Sequence, residues 1–454
     1  MGIPSYFSYI IKNHSNIIRN IPFHRKVAKT VFHSLYLDCN SIVYDAVHAL
    51  EKEFPVELEF NDVNFEKKII ERVIAKIREY VSIVAPTKVV YIAFDGVAPF
   101  AKIEQQRSRR YKSAFLSKLD FSNPNSPWAT GDKPLKWNTS AITPGTPFMK
   151  ELSRVVRAAF ESGIVGIETV IVSASDEPGE GEHKMFQYIR DNGESTENVA
   201  VYGLDSDLIM LSIIHAVLCN NIYIFREAPE FSNSILPSEM KFSQNELLVM
   251  NINTLSESIL HEMKCLPHEK LRIYDYIFMC FFLGNDFLPS LSALNIRRNG
   301  IDRLLNLYSI HMKRHPNGNF INSDSEINWD GVNLYLRELA KYERDYLIEE
   351  SEYREKLSKK LMREIDTMDR EKLFDNSVLC LMLGKERYIS VLEEGWEVRY
   401  YRMMLGREEK GKERKELMIK EYKYGLMWVW NYYKKGCEDE KWRYSMVVSP
   451  LIKD

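Results

Sequence analysis

The stretch VNFEKKIIERVIAKIREYVSIV (63–84), followed after three residues by KVVYIAFD (88–95), decides the fold. The first segment carries apolar residues at helical spacing. The second is a short run of β-branched and aromatic residues that ends on an acid. The same two signals recur along the chain. SLYL precedes Asp38, ETVIVS occupies 168–173, NVAVYGL precedes Asp205 and NIYIF occupies 221–225, with the helical pattern MKELSRVVRAAFESG (149–163) among them. Strands alternating with helices predict an α/β fold, a mainly parallel twisted sheet flanked by helices. Open sheets of this kind place their ligands beyond the carboxyl ends of the strands, where several of the acids fall.

Past about residue 340 the strand signals give way to charged helix formers, YERDYLIEESEYREKLSKKLMREIDTMDREKL, so a mostly helical C-terminal part is expected. A chain of 454 residues can build one composite domain or two packed ones. The expected division is an α/β core over 1–340 and a mainly helical region over 341–454 packed on it. The segment from about 115 to 140, rich in Pro, Ser, Asn and Gly, reads as a surface loop or insertion. ITPGTPFM (142–149) reads as a compact turn into a helix.

Lys and Arg number 61 against 64 Asp and Glu, a net charge of −3, so any nucleic-acid binding must come from local patches. Cys39, Cys219, Cys265, Cys280, Cys380 and Cys437 are scattered without a C-x-x-C pair, which argues against zinc and redox dithiols and for a reducing, intracellular setting. MGIPSYFSYI lacks the basic-then-apolar order of a signal peptide, and IFMCFFL (277–283) is too short to span a bilayer. Tyr6 stands where a myristoylation motif needs Ser or Thr, so no membrane attachment is expected.

Seven carboxylates sit at strand ends and in tight turns: Asp38, Asp95, Glu180, Glu182, Asp205, Asp207 and Asp286, in LYLDCN, YIAFDGVAP, EPGEGEH, YGLDSDL and FLGNDFLP. In EPGEGEHK, Pro178 and Gly179 force a turn, and Glu180 and Glu182 are expected on the same side of an extended segment. LDSDL repeats that logic with Asp205 and Asp207. So many converging acids repel one another unless divalent cations offset the charge, which implies Mg²⁺ or Mn²⁺ and the chemistry of a two-metal phosphodiester nuclease. Any one of these acids taken alone is as easily a solvated surface charge or a helix N-cap; five motifs together argue otherwise.

In AKIEQQRSRRYK (101–112), a helix would put Lys102, Gln106, Arg109 and Arg110 on one face. Most such runs are solvated basic faces, yet this one follows an acid at a strand end, and its mixture of forked, point-charge and neutral donors suits a terminal phosphate. Aromatics are a further feature. Tyr44 follows Asp38 by six residues, and GLMWVWNYYKKGCEDEKWRY offers Trp428, Trp430, Tyr432, Tyr433 and Trp442, most of them expected in the core and one or two at the site.

These motifs, in the order MGIPSYF, LYLDCNSIVY, FDGVAPFAKIEQQRSRR, ITPGTPFM, EPGEGEHK, YGLDSDLIML and FLGNDFLPSL, resemble the XRN family of 5′→3′ exoribonucleases along nearly the whole chain. GLMWVWNYY and the closing PLIKD resemble the end of that family's second conserved region. The resemblance implies a nuclease core like that of PIN and flap nucleases, carrying a metal site and a 5′-phosphate pocket. Its implied activity is hydrolysis of single-stranded RNA bearing a 5′-monophosphate, one nucleotide at a time, with two Mg²⁺ or Mn²⁺ ions. By matching motif, all seven acids become the metal site, Lys102, Gln106, Arg109 and Arg110 the 5′-phosphate pocket, and Tyr44 and Trp442 the base-stacking residues.

The chain departs from the family pattern in places. Ser41-Ile42-Val43-Tyr44 stands where a His is usual, so the first base would meet Tyr44; EDEKWRYSMVVSP (438–450) is poorer in aromatics than its counterpart, leaving Trp442 as the second stacking candidate. The chain also stops where larger members continue into small β-rich domains, so a short form is expected. A monomer acting in RNA decay is expected, in the cytoplasm with the nucleus as the alternative. The rival functions are a structure-specific 5′ flap DNA nuclease, whose DNA-holding helical hairpin motif is not visible, and a catalytically inactive RNA-binding scaffold, against which stands the full set of acids.

Overall fold

The structure, a computed structural model, describes residues 2–3, 5–21, 30–54, 63–116, 137–193, 196–229, 236, 242–243, 246–265, 269, 271–313, 315, 318–363, 383–406 and 411–454. The chain divides into two compact units. One comprises Met1–Glu104, Pro134–Ile259 and Trp430–Trp442; the other comprises Gln105–Lys133, Leu260–Val429 and Arg443–Asp454.

The first unit is built on a seven-stranded sheet of order β1-β7-β6-β5-β2-β3-β4. Its strands are β1 Ile18–Asn20, β2 Ser34–Asp38, β3 Val89–Ala93, β4 Thr169–Ser173, β5 Asn198–Tyr202, β6 Asn221–Glu227 and β7 Leu247–Asn251. The stretch from β6 to β4 is parallel throughout, and β1 and β7 add an antiparallel margin. All five runs picked out in the sequence form the parallel strands. β1 and β7 lie outside those runs: IRN is short and polar, and LLVMN is a bare apolar run of the kind a buried helix segment also shows.

The helices of this unit are α1 Tyr6–Asn13, α2 Asn40–Glu53, α3 Val63–Val84, the start of α4 Phe100–Leu116, α5 Pro147–Phe160, α6 Gly181–Asn192, α7 Asp207–His215 and most of α8 Ile252–Glu262. On one sheet face Leu35, Leu37, Val90, Ile92, Tyr202 and Phe225 share a core with residues of α2, α3 and α5. On the other, Tyr36 and Tyr91 meet Tyr188 of α6 at ring-centroid distances of 6.1 and 5.2 Å. Cover on both faces is why the central strands are almost continuously apolar and not alternating.

From β2 the chain steps outward to β3 and β4, then returns to the other side of β2 for β5 and β6. The order therefore reverses between β2 and β5, the switch point beside whose carboxyl ends α/β sheets bind ligands.

The second unit is helical, with the rest of α4, then α9 Arg272–Phe281, α10 Gly300–His311, α11 Trp329–Ala340, α12 Glu343–Arg363, α13 Leu383–Ile389, α14 Trp396–Leu405 and most of α15 Gly411–Lys435. Phe278, Tyr308, Phe320 and Tyr335 pack edge-on around its buried centre. The loop expected at about 115–140 falls largely on residues 117–136, outside those described, and so does the tail of the charged helical run, over 364–373.

Candidate metal centre

The acids reach this end of the sheet by different routes. Asp38 is the last residue of β2, Asp95 lies two residues past β3, and Asp205 sits in the turn after β5. Carboxylate oxygens of Asp38, Asp95 and Glu182 lie within 4.8 Å of one another, and ligand atoms of Glu180, Glu182 and His183 do the same.

Glu180 and Glu182 do meet, but not on an extended segment as the sequence suggested. Glu180 is the extended residue just before α6 (ψ 148°) and Glu182 is already helical. The turn at Pro178-Gly179 ends with Gly179 at φ 101°, and the chain then closes into a helix as soon as an acceptor is available for its first amides. That acceptor is Asp95, whose Oδ1 takes the Gly181 N–H at 2.7 Å while Oδ2 takes Asn40 Nδ2 at 2.6 Å. The N-terminal end of α6 thus points at an anion, the polarity that helix dipoles favour. Asp207 likewise differs from expectation, since it opens α7 while Asp205 stays in the turn.

The charges crowd. Burial first, then Asp95 and Asp205, push the Asp38 carboxyl well above its usual range. Burial and Glu180 raise Asp95, and burial with Glu180, Asp38 and Asp95 raises Glu182 strongly. Glu180 goes the other way: burial, the largest influence, would raise it, but Lys102, His183 and the Tyr432 hydroxyl together hold it low. Lys102 Nζ lies 2.6 Å from Glu180 Oε2, and the Tyr432 hydroxyl donates to Oε1 at 2.6 Å.

The donor set fits hard divalent cations. It is made of carboxylates that are buried (Asp38, Glu180, Glu182, Asp207) or half-buried (Asp95, Asp205), Asp38 Oδ1 has no hydrogen-bond partner among the described residues, and Gly181 leaves its space to the acids, since a Cβ there would lie 2.9 Å from Asp38 Oδ1. Gly2 makes similar room, with a Cβ on it falling 1.1 Å from Asp207 Oδ1.

Of the basic face, α4 is the helix the spacing predicts. Lys102 is buried, Gln106 half-buried, and Arg109 and Arg110 exposed. Lys102 belongs to the first unit. Gln106, Arg109 and Arg110 belong to the second, as does Asp286, which accepts from Gln105 Nε2 at 3.3 Å. Tyr44 sits in α2, packed on the core, and Trp442 follows α15 with its amide donating to Asp439. Trp428, Trp430, Tyr432 and Tyr433 are buried.

Several supporting residues escaped the sequence reading. The Asn40 side chain bonds Asp95 twice, its Nδ2 donating to Oδ2 and its Oδ1 accepting from the Asp95 backbone N–H. Lys184 Nζ ties the carbonyls of Phe94 and Ala174, just past β3 and β4. Arg226 donates to the Leu204 carbonyl at 2.8 Å and stacks its guanidinium on Phe7 at 4.1 Å, bracing the turn that carries Asp205. Tyr432 stacks on His183 with centroids 3.7 Å apart. Asn40 and Lys184 lie inside the acid motifs and could have been suspected there; nothing local marks Arg226 or Tyr432.

The family described as XRN 5′-3′ exonuclease N-terminus matches residues 1–228, and the Xrn1 helical domain matches 268–388 and 384–454. The chain belongs to the XRN family. Among curated XRN relatives, the 5′-3′ exoribonuclease 2 of Debaryomyces hansenii is 32% identical over 397 residues, covering 75% of this chain and 38% of that protein. The 5′-3′ exoribonuclease 2 homolog of Drosophila melanogaster is 26% identical over 568 residues, covering 100% of this chain and 61% of its own length. The chain therefore spans between 38% and 61% of these XRN proteins. Among solved structures, the catalytic core of Rad2 in complex with DNA substrate gives a TM-score of 0.36 at 15% identity, covering 76% of this chain and 77% of that one, a likeness too low to bear on function. Among the described residues no helix is long and apolar enough to cross a membrane.

Proposed function

We propose that this chain is a 5′→3′ exoribonuclease that hydrolyses single-stranded RNA bearing a 5′-monophosphate to nucleoside monophosphates, using two divalent cations, Mg²⁺ or Mn²⁺. The observation that carries the reading is the convergence of Asp38, Asp95, Glu180 and Glu182, with Lys102 of the basic helix bonded to one of them. Asp38, Asp95, Glu180, Glu182, Asp205 and Asp207 are the proposed cation ligands; for Asp286 the assignment rests on its motif alone. Bound there, the cations would supply Lewis-acid stabilisation of phosphoryl oxygens.

The chain's own residues orient and select. The Gly181 amide and Asn40 fix the Asp95 carboxylate, so its geometry is set before substrate arrives. Lys102, Gln106, Arg109 and Arg110 are the proposed readers of the terminal phosphate, by charge and forked donors. A pocket matched to one phosphate leaves the extra charges of a triphosphate unpaired, and selects against it. Tyr44 and Trp442 are the proposed stacking surfaces for bases. A monomer working in RNA decay, in the cytoplasm or the nucleus, fits this reading.

The test is degradation, with Mg²⁺, of matched single-stranded RNAs carrying 5′-monophosphate, 5′-hydroxyl or 5′-triphosphate, beside Asp207→Ala. Monophosphate-dependent release of mononucleotides, absent in the variant, is the expected result. No activity on any RNA end would favour a binding scaffold, and cleavage confined to DNA flaps would favour a flap nuclease.

A further inference from the structure

In the first unit a cleft of about 430 Å³ opens between α5 and the chain just past β4, and the reaction proposed above makes no use of it. Lys150, Ser153, Ser175 and Asp176 are among its walls. Ser175 lies two residues beyond β4 as Asp95 lies two beyond β3, and Ala93 and Ser173 pair in register. The cleft therefore stands at the acids' end of the sheet, one strand out. We propose that it is a ribose-reading subsite, which takes a downstream nucleotide of the RNA with its phosphate on Lys150 and its 2′-hydroxyl on the buried serines. The inference rests on the exoribonuclease reading and adds a physical basis for preferring RNA to DNA.

The two serines, each 5% exposed, set the chemistry of the cleft's inner wall. Ser153 Oγ lies 2.7 Å from the Met149 carbonyl and 3.0 Å from Ser175 Oγ, which is itself 3.4 Å from the same carbonyl. In every arrangement of these contacts both hydroxyl hydrogens go to Met149 or to the other serine. At least one hydroxyl oxygen then accepts nothing from the described residues, so an incoming group must bring the hydrogen. A 2′-hydroxyl can do so, and the 2′-carbon of DNA cannot. The charges leave Lys150 to the phosphate. Arg157 holds both oxygens of Asp176, at 2.6 and 2.7 Å, and Arg154 both of Glu151, at 2.6 and 2.9 Å. Glu177 turns to Arg157 and Ser173. The Lys150 ammonium has no such partner among the described residues. Lys150 and Ser153 are three residues apart on α5 and so neighbours on its surface, which lets one nucleotide meet both.

Release of a labelled 5′ nucleotide by the full chain with Mg²⁺ tests the subsite. The substrates are 5′-phosphorylated RNA dodecamers, each with a single 2′-deoxynucleotide at one position from the third to the eighth, beside the dinucleotide pUpU, which is too short to reach the cleft. Wild type is expected to lose about fivefold in kcat/KM at one of these positions and little at the others, the worth of one hydrogen bond. In the double variant Ser153→Ala, Ser175→Ala that positional loss is expected to vanish. Lys150→Gln is expected to match wild type on pUpU, and on the all-ribose dodecamer to flatten the slope of log kcat/KM against log salt by about 0.7, as for one phosphate contact on a single strand. A flat positional profile in wild type, a positional loss kept by the serine variant, or an unchanged salt slope in Lys150→Gln overturns the subsite. A flat profile with uridine 5′-monophosphate inhibiting wild type and not Lys150→Gln would assign the cleft to free nucleotide instead of the RNA chain. Should the serine variant fail to fold, Lys150→Gln decides alone. No release from any RNA by wild type would overturn the exoribonuclease reading itself, and this inference with it.

Discussion

Gly181 faces Asp38 so closely that a Cβ on it would lie 2.9 Å from Asp38 Oδ1, and 3.5 Å from Asp95 Oδ1. The glycine is the first residue of α6 and its backbone is not in the left-handed region, so alanine would suit the helix itself. What alanine would spoil is the space between the two acids. Gly181→Ala is expected to leave the unfolding midpoint nearly unchanged while activity falls by roughly 10–100-fold, the scale of losses when the surroundings of a metal ligand are disturbed. Thermal melts beside rate measurements check this. A variant that melts early and loses activity in proportion would show that the glycine serves folding only.

Asp38 gives the opposite signature to an ordinary core mutation. Its carboxylate is buried against Asp95 and Asp205, and Oδ1 lacks a partner among the described residues. Without cations that crowding destabilises the fold, so Asp38→Asn is expected to be more stable than wild type in chelator, by on the order of 1 kcal/mol. With Mg²⁺ the order is expected to reverse, because wild type gains binding energy that the variant lacks. Activity should fall further than for Gly181→Ala. Melting curves of both proteins with chelator and with Mg²⁺ are the measurement, and an equal response of the two to Mg²⁺ would remove Asp38 from the site.

The parallel strands were legible because burial on both faces forces continuous apolar runs, as in Leu35–Leu37 and Val199–Tyr202, and the helices between them show their period. The antiparallel β1 and β7 were not, since IRN carries no apolar pattern of its own and depends on pairing with a distant strand. At the site, acids at strand ends announced themselves, whereas the placement of Glu180 and Glu182 depended on where α6 begins. That is set by Asp95, eighty-six residues from Gly181 along the chain. The Lys102–Glu180 pair and the Tyr432 hydroxyl are tertiary partnerships that no local spacing encodes.

In the helical unit Asp275 is a buried anion with its own circle of donors. Oδ1 accepts from the amides of Phe320 and Ile321 at 2.8 and 2.9 Å, and Oδ2 from the Tyr308 hydroxyl at 2.5 Å and Arg272 at 3.2 Å. Asparagine can serve the two amides but turns its NH₂ toward Tyr308 and Arg272, and alanine serves none of them. Asp275→Asn is expected to cost about 1–3 kcal/mol and Asp275→Ala about 3–5 kcal/mol. Denaturant titrations of the full chain would measure both, and a neutral Asp275→Ala would mean that water takes over the donors.

Glu343 sets a pH dependence whose sign follows from burial. It is 2% exposed, its Oε1 accepts from the Ile452 amide at 2.6 Å, and burial is the largest influence, pushing the carboxyl up to about 7 despite that bond. The folded state therefore holds this proton more tightly than the unfolded chain, where the group titrates near 4.5. Its stabilising contribution is fully present below pH 4.5 and is lost as pH rises through 7. Glu343→Gln keeps an acceptor for Ile452 and removes the titration. The variant's stability relative to wild type is expected to climb between pH 5 and pH 8, by up to a few kcal/mol. Asp275, pushed up to about 6 chiefly by burial, slopes the same way in both proteins and cancels in the comparison. Unfolding midpoints of the pair across that range test the sign, and parallel curves would mean that Glu343 stays ionised in the fold.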